Sequence, residues 1–384
     1  MIGYAVTISA IIVLSAFFIF RYLGKERLSC IRDKVPLLRF VSAALIAALI
    51  AISGGSIAFM DSLDRSHDID DAIGAAAVHF VHGGNPYEDE VVPRFTEVYH
   101  DDVKMVNGTL NYLPLTLFVY SGAYLCLGFV GSLWYELTNL LLGLSAAIVL
   151  WRTFPTVRKG ILFPAVGIVT VFFLFDNIML TLLMFSMFLY FLLRSGSGFR
   201  VAMALISLFL AFSVKMAGMM SLGAFVLFIA QRYRFKDRMV NVQIGLFVLF
   251  AMLAAAASIA IFGYRDLMDS TFLFMSDPDV RSDGAHFGGT VLTEIVGNSP
   301  AFTYIGYAVL LSVLVATMFM KGVLPRLFMA EAVLPFVTIK DSQSLLAIPI
   351  LLLSVNLMAI MDPELEPFRD PDRGEGPKSE LMCW

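Results

Sequence analysis

The chain has 384 residues, of which 59% are hydrophobic and 15% are charged, and its mean hydropathy is +0.81. Soluble domains contain about 25% charged residues, so this composition excludes an ordinary soluble domain and predicts an integral membrane protein. The net charge of -4 is unevenly distributed, and no phosphate-binding loop, dinucleotide fingerprint, serine elbow or nucleic-acid module is visible, so we expect no nucleic-acid partner.

Apolar runs recur along the first 361 residues. A membrane span needs about 17 to 25 residues, so the shorter runs are half-helices, re-entrant hairpins or spans extended by polar residues. The runs lie at 2–21, 40–60, 113–130, 133–151, 161–175, 177–193, 201–214, 216–230, 241–262, 303–320, 327–339 and 344–361. We predict an all-α, polytopic transmembrane helical bundle of about 10–12 hydrophobic segments. It forms one domain, 1–361, followed by a polar tail, 362–384, that is too poor in apolar residues to pack.

Two connections between these runs are strongly basic. By the positive-inside rule both are cytoplasmic, which places the acidic loop at 61–112 on the extracytoplasmic side. The basic residues are Arg21, Lys25, Arg27, Arg32, Lys34 and Arg39 in the first connection and Arg232, Arg234, Lys236 and Arg238 in the second. Within the stretch 113–151, the Gly-containing break at 128–132 predicts a pair of helices.

The loop at 61–112 concentrates the titratable groups of the chain. It contains eleven Asp or Glu, three Lys or Arg, and four of the five histidines. A polar segment that cannot enter lipid, held between segments that must, is where a membrane protein usually carries its chemistry. We therefore expect the functional site in this loop.

The loop opens with three carboxylates, at Asp68, Asp70 and Asp71. The small residues at 72–77 predict a short helix along the membrane surface, ended by the turn Gly83-Gly-Asn-Pro-Tyr87. Carboxylates held in this way can act as a general base, bind a metal or simply solvate the loop.

His79 and His82 are three residues apart, a spacing that places them on one helix face and suits metal binding beside carboxylates. Such histidines are more often exposed or bonded to backbone, so a divalent metal is not favoured and no cofactor is predicted.

Lys215 lies between two apolar runs, 201–214 and 216–230, which together predict a hairpin whose tip reaches the active face. A lysine at the end of a run can snorkel to the interface, yet an ionisable group between apolar runs is also a functional candidate. A second polar connection, 263–302, is expected on the same face as the acidic loop, where it forms another wall of the site or an ordinary re-entry loop.

The order of these features resembles the first extracytoplasmic loop of polyprenol-phosphate-sugar-dependent glycosyltransferases of the GT-C superfamily, most closely family 87, which includes mannosyltransferases. The resemblance is carried by the acidic residues, the small-residue helix, Gly83-Gly-Asn-Pro-Tyr87 and Asn111-Tyr-Leu-Pro-Leu115. Downstream, Asp176-Asn177 before a long apolar helix and Ser213-Val-Lys215 after the next one also match in position. The chain departs from the family where Phe175-Asp176 replaces Gly-Gln.

The resemblance implies an inverting transfer of a sugar, most simply mannose, from a polyprenyl-phosphate or dolichyl-phosphate donor to a lipid-linked or cell-surface glycan acceptor. An aspartate takes the proton of the acceptor hydroxyl, and we place this base at Asp68, with Asp70 and Asp71 as rivals. Cationic groups meet the donor phosphate, where negative charge develops. The phosphate-binding candidates are Lys215, Arg94, His79 and His82, and the substrate-binding loop candidates are Asn85, Pro86, Tyr87, Tyr112 and Asn177.

The alternative is a multi-span transporter or lipid flippase, in which intramembrane charges line a translocation path. The charges available for such a path are Glu136, Asp176, Lys215 and Glu331. Transporters usually contain paired internal repeats with broken helices, and the acidic loop has no convincing second copy. The sequence therefore favours the enzyme, with membrane lipids, the lipid-linked donor and a glycan acceptor as its partners.

Overall fold

The structure is a computed structural model that describes ten stretches of the chain. They are residues 68–95, 105–110, 112–154, 178–193, 199–214, 218–233, 236–273, 301–320, 322–337 and 347–361. The predicted runs at 2–21, 40–60 and 161–175 and the tail at 362–384 lie outside the described residues.

The described residues are helical throughout, apart from turns and one short two-stranded ribbon. The helices are α1 (Asp68–Val81), α2 (Pro114–Leu127), α3 (Trp134–Thr153), α4 (Ile178–Leu193), α5 (Arg200–Phe212), α6 (Met219–Tyr233), α7 (Arg238–Phe262), α8 (Tyr264–Met268), α9 (Ala301–Thr317), α10 (Val323–Val337) and α11 (Ala347–Met361). A 3-10 segment (Gly128–Leu133) follows α2, and a π segment (Asp269–Leu273) follows α8. The predicted helical class agrees with these elements.

The ribbon lies inside the acidic loop and was not predicted. Strand β1 (Val92–Phe95) pairs antiparallel with β2 (Met105–Gly108), and Val92 lies opposite Gly108. Both strands are four residues long. An alternation of apolar and polar residues over so short a stretch does not distinguish a strand from the charged loop around it.

Helices α2 and α3 form the pair predicted from the break at 128–132. Pro114 begins α2 at a position where its missing N–H costs nothing, and Gly131 adopts a φ of 74° in the connecting segment. The two helices run antiparallel, because Tyr124 late in α2 meets Trp134 at the start of α3, with ring centroids 5.4 Å apart, while the earlier Tyr120 donates from its hydroxyl to Asn139 Oδ1 at 2.5 Å.

The main hydrophobic core is shared by α3 to α6 and by α10 and α11. It is rich in aromatic and branched side chains such as Phe185, Phe188, Phe225, Leu327 and Leu351, each at most 1% exposed. Helix α4 lies at its centre with ten buried residues, which fits a helix that is apolar on every face.

Buried polar side chains from distant helices fix the ends of two core helices. Gln243 Oε1 accepts the N–H groups of Val201 and Ala202 at 2.8 and 3.2 Å in the first turn of α5. Glu331, which is fully buried, accepts the N–H groups of Gly218 and Ser221 at 3.2 and 2.7 Å at the start of α6. These N–H groups have no partner within their own helices, so each contact satisfies donors that burial would otherwise leave unpaired.

Three helical segments in the described ranges are long and apolar enough to cross a membrane: Pro114–Gly131, Trp134–Thr153 and Arg238–Phe262. Helix α7 is the clearest case, since Asp237 caps its start and none of its most apolar window is buried. Its exposed apolar side chains include Val242, Leu246, Leu249, Met252, Leu253 and Ile261. Such a surface is costly in water, which agrees with a membrane protein.

Candidate functional site

The three loop aspartates lie in the first turn of α1. Asp68 is the first residue of this helix, and the side chains of all three aspartates lie outside the described part of the structure. Their register is defined by the backbone. Asp70 precedes the buried Ile73 by one turn and the buried Ala77 by two turns, whereas Asp68 and Asp71 begin other rows of the helix.

Small residues bring α1 close to α2 and α3. Ala76 and Ala77 are fully buried, and a Cβ placed on Gly74 would lie 3.7 Å from the ring of Trp134. Helix α1 packs lengthwise against α2, because its small side chains permit a close approach.

The direction of this packing is set by two contacts. The Ser121 hydroxyl donates to the Ala77 carbonyl at 3.4 Å, and the rings of Phe80 and Phe118 meet edge to face at 5.8 Å. Later residues of α1 thus contact earlier residues of α2, so the two helices are antiparallel. The acidic turn of α1 therefore lies at the end of α2 that leads into the 3-10 segment.

One buried cluster joins the three regions that carry the family resemblance. It contains Ile73 and Ala77 from α1, Leu180 from the first turn of α4, and Val214 just after α5, packed with aromatic residues of α2 and α3. The Thr116 hydroxyl also donates to the Val214 carbonyl at 3.4 Å. Asp176, Asn177 and Lys215 lie outside the described residues, and their described neighbours Ile178 and Val214 are buried.

Val214, which follows α5, lies far from the acidic turn of α1. Asp70 lies seven residues before Ala77, and Thr116 lies five residues before Ser121, the partner of Ala77 in α2. At 1.5 Å per residue, the carbonyl of Val214 is about 18 Å from Asp70 along the helix axis. Val214 is therefore nearer to the last turn of α1, where His79 lies, than to its first turn.

His79 contacts the carboxylate of Asp89 at the end of α1. Its Nε2 lies 2.6 Å from Asp89 Oδ2, and the same oxygen accepts the N–H of Asn85 at 3.0 Å. The hydrogen bond from His79 and that from the Asn85 backbone lower the pKa of the Asp89 carboxyl, which stays ionised over a wider range. A Cβ on Gly84 would overlap the His79 ring, so a glycine is required for this contact.

Asn85 and Tyr87 join the acidic loop to the second polar connection. Asn85 Nδ2 donates to the Phe262 carbonyl at the end of α7, at 3.3 Å, while its Oδ1 accepts the N–H of Tyr87 at 3.2 Å. The Ser270 hydroxyl donates to the Tyr87 carbonyl at 2.7 Å. The described part of the second connection, 263–273, therefore lies beside the acidic loop, as expected from the sequence.

Tyr87 is 1% exposed, and its hydroxyl donates to the Tyr112 carbonyl at 2.7 Å. Burial raises the pKa of this phenol well above its usual value. The neighbouring Pro86 is also buried and accepts the N–H of Leu110 through its carbonyl at 2.7 Å. These side chains, predicted as substrate contacts, hold the loop together through contacts with the protein itself.

Two further phosphate candidates lie in the acidic loop. Helix α1 ends at Val81, and His82 follows it in a turn, where the His82 N–H still donates to the Val78 carbonyl at 3.2 Å. The exposed His82 contacts the Val78 carbonyl through Nδ1 at 2.7 Å. Arg94 lies in β1 opposite Val106, and its side chain is outside the described residues.

The described residues contain no group of three His, Cys, Asp or Glu side chains that could hold a metal ion. Sequence reasoning did not single out Asp89, and it named Glu331 only as a charge of the alternative transporter path. Asp89 meets His79, which lies 10 residues away in sequence. Glu331 meets Ser221 and Gly218, which lie 110 and 113 residues away. No local pattern in the sequence marks either contact.

Comparison of the chain with protein-family models, with curated protein sequences and with solved structures gives no match in any of the three.

Proposed function

We propose that this protein is a membrane glycosyltransferase that moves a sugar, mannose in the simplest case, from a polyprenyl-phosphate carrier to a lipid-linked or cell-surface glycan. The observation that supports it most is the buried cluster of Ile73, Leu180 and Val214. Three segments distant in sequence carry the resemblance to GT-C enzymes, and a functional site built from them requires that they meet. The reaction inverts the anomeric centre and takes place on the extracytoplasmic face.

The proton of the acceptor hydroxyl goes to an aspartate of α1, because a neutral hydroxyl is a poor nucleophile. Asp70 continues the row of the buried Ile73 and Ala77, which pack in the cluster with Leu180 and Val214. Asp68 continues the row of the buried Ala72 and Ala76, which pack in a different cluster. We place the base at Asp70 because its row joins the cluster that contains Val214. Lys215, next to Val214, remains the first partner for the leaving phosphate.

The separation of about 18 Å between Asp70 and the Val214 carbonyl bears on how substrates bind. A lipid phosphate, a sugar and a glycan acceptor arranged in line form an extended ligand. We therefore place the phosphate near the last turn of α1 and the acceptor near its first turn. The apolar surface of α7 would accommodate the polyprenyl tail in lipid.

One contact weighs against the transporter. A translocation path needs charges free to bind a passing substrate, yet Glu331 is fully buried and holds two N–H groups of α6. Asp176 and Lys215 lie outside the described residues.

The test uses purified protein in proteoliposomes with a radiolabelled polyprenyl-phosphate mannose and a glycolipid acceptor pool. Asp70→Asn is expected to lower transfer by about 10²-fold or more, the usual contribution of a general base, whereas Asp68→Asn and Asp71→Asn retain most of it. Glu88→Gln, at an exposed carboxylate of the same loop, is the matched control. Transfer that survives all three aspartate substitutions, or ion-coupled uptake without transfer, refutes the proposal.

A further inference from the structure

The pair formed by His79 and Asp89 leaves one ring nitrogen for a ligand. Nε2 is committed to Asp89, and in the described part of the chain no hydrogen bond reaches Nδ1. The His79 side chain is 31% exposed, so a ligand can approach the ring. A protonated imidazole presents an N–H at each nitrogen, one for Asp89 and one for an anion.

The ring is held in place from two further directions. It rests on the backbone of Gly84, where a Cβ would overlap it. Asp89 is held in turn by the N–H of Asn85 at 3.0 Å. A ring fixed by a carboxylate on one nitrogen presents its other nitrogen in one direction, as the buried carboxylate does for histidine in many sites.

The pair of His79 and Asp89 also lies near the end of the lipid-facing surface of α7. Helix α7 is apolar and exposed along its length, and it stops at Phe262, whose carbonyl is bonded to Asn85. The residue two positions later, Tyr264, is 62% exposed, as is usual for aromatic side chains at the membrane interface. Asn85 bonds to the end of α7 through its side chain and to Asp89 through its backbone N–H, so it links the end of α7 to the pair of Asp89 and His79.

We infer that Asp89 is a positioning residue that aims Nδ1 of His79 at the phosphate of a lipid whose tail lies along α7. This inference rests on the proposed function for the identity of the lipid, a polyprenyl phosphate. His79 makes the contact with the phosphate, and Asp89, Gly84 and the Asn85 backbone hold it ready. The phosphate end of the donor thus meets α1 at its last turn.

The test measures binding of polyprenyl phosphate and of the corresponding uncharged polyprenol to the full chain in detergent. The wild type should prefer the phosphate by about tenfold or more, the effect of one charged hydrogen bond. Asp89→Asn and His79→Gln should each remove most of this preference. Asp89→Glu should restore part of it, and the exposed control Glu88→Gln should keep it.

Three results overturn the inference. One is an unchanged phosphate preference in Asp89→Asn and His79→Gln. Another is an equal loss of phosphate and polyprenol binding in Asp89→Asn, which indicates a purely structural pair. The third is equal binding of phosphatidylglycerol vesicles or inorganic phosphate, which removes the specificity for the polyprenyl lipid.

Failure of the proposed function has a different signature. A protein that prefers polyprenyl phosphate in this way, yet transfers no sugar from any polyprenyl-phosphate donor, supports the phosphate contact and refutes the glycosyltransferase. A protein that transfers the sugar, but whose phosphate binding is unchanged by Asp89→Asn, supports the glycosyltransferase and refutes the phosphate contact.

Discussion

Replacing Glu331 should destabilise the start of α6 more than any other single change among the described polar residues of the core. Its carboxylate is fully buried in α10 and accepts two N–H groups, those of Gly218 and Ser221. Glu331→Ala removes both acceptors at a position that is closed to solvent in the folded protein.

The magnitude follows from those two contacts. A buried donor left without a partner costs about 1 to 3 kcal/mol, so two of them cost on the order of 2 to 5 kcal/mol after partial relaxation. Loss of a helix cap alone is worth about 0.5 to 2 kcal/mol, which sets the lower bound. Glu331→Gln keeps one acceptor oxygen and should lose about half as much.

The assay is denaturation in mixed micelles, with hydrogen exchange read at the Ser221 amide. Exchange there should accelerate strongly in Glu331→Ala and moderately in Glu331→Gln. The matched control is Glu88→Gln, because Glu88 is exposed and its replacement keeps the size of the side chain. We expect it to stay within about 0.5 kcal/mol of the wild type. Equal stability of Glu331→Ala and the wild type would refute the capping role.

Three further outcomes are expected. Gln243→Ala, which removes the acceptor for two N–H groups of α5, should cost about 1 to 3 kcal/mol in the same denaturation assay, and Gln243→Glu should not. Tyr87→Phe leaves the Tyr112 carbonyl without its donor and should lower stability by about 1 kcal/mol, again with little change for an exposed control such as Tyr264→Phe. The pKa of Asp89 is lower in the folded state than in the unfolded state. The stabilisation of the turn by Asp89 is therefore present above the ordinary carboxyl range near pH 4 and is lost as the pH falls below that range. The protection factors of the amides in the turn at 83–89, which are corrected for the intrinsic pH dependence of exchange, should therefore fall in acid. Asp89→Asn should show low protection of these amides at every pH.

The positions of the helices could be read from the sequence because lipid imposes one requirement on every span. A run of apolar residues must close its own backbone hydrogen bonds, and charged or glycine-containing breaks then set the ends. The predicted run at 133–151 corresponds to Trp134–Thr153, and 177–193 corresponds to Ile178–Leu193. The ribbon formed by β1 and β2 escaped prediction because its pairing depends on two short segments meeting across the loop.

The candidate site was only partly predictable. The turn at Gly83–Tyr87 followed from its glycines and proline, and its contact with the second connection agreed with the expected common face. The sequence did not show that α1 runs antiparallel to α2. That direction separates the acidic turn from Val214 and leaves Val214 nearer to His79, a consequence of small side chains packing against Trp134 and Tyr120.

Composition and hydropathy determined by themselves that the chain is apolar, helical and suited to a membrane, because these properties depend on residues adjacent in sequence. Tertiary structure alone decided which polar groups meet. Asp89 holds His79 across a turn, and Glu331 accepts the N–H of Gly218, 113 residues earlier in the chain, at the start of α6. Such contacts depend on the relative placement of whole helices, which packing of many side chains sets together and no local pattern encodes.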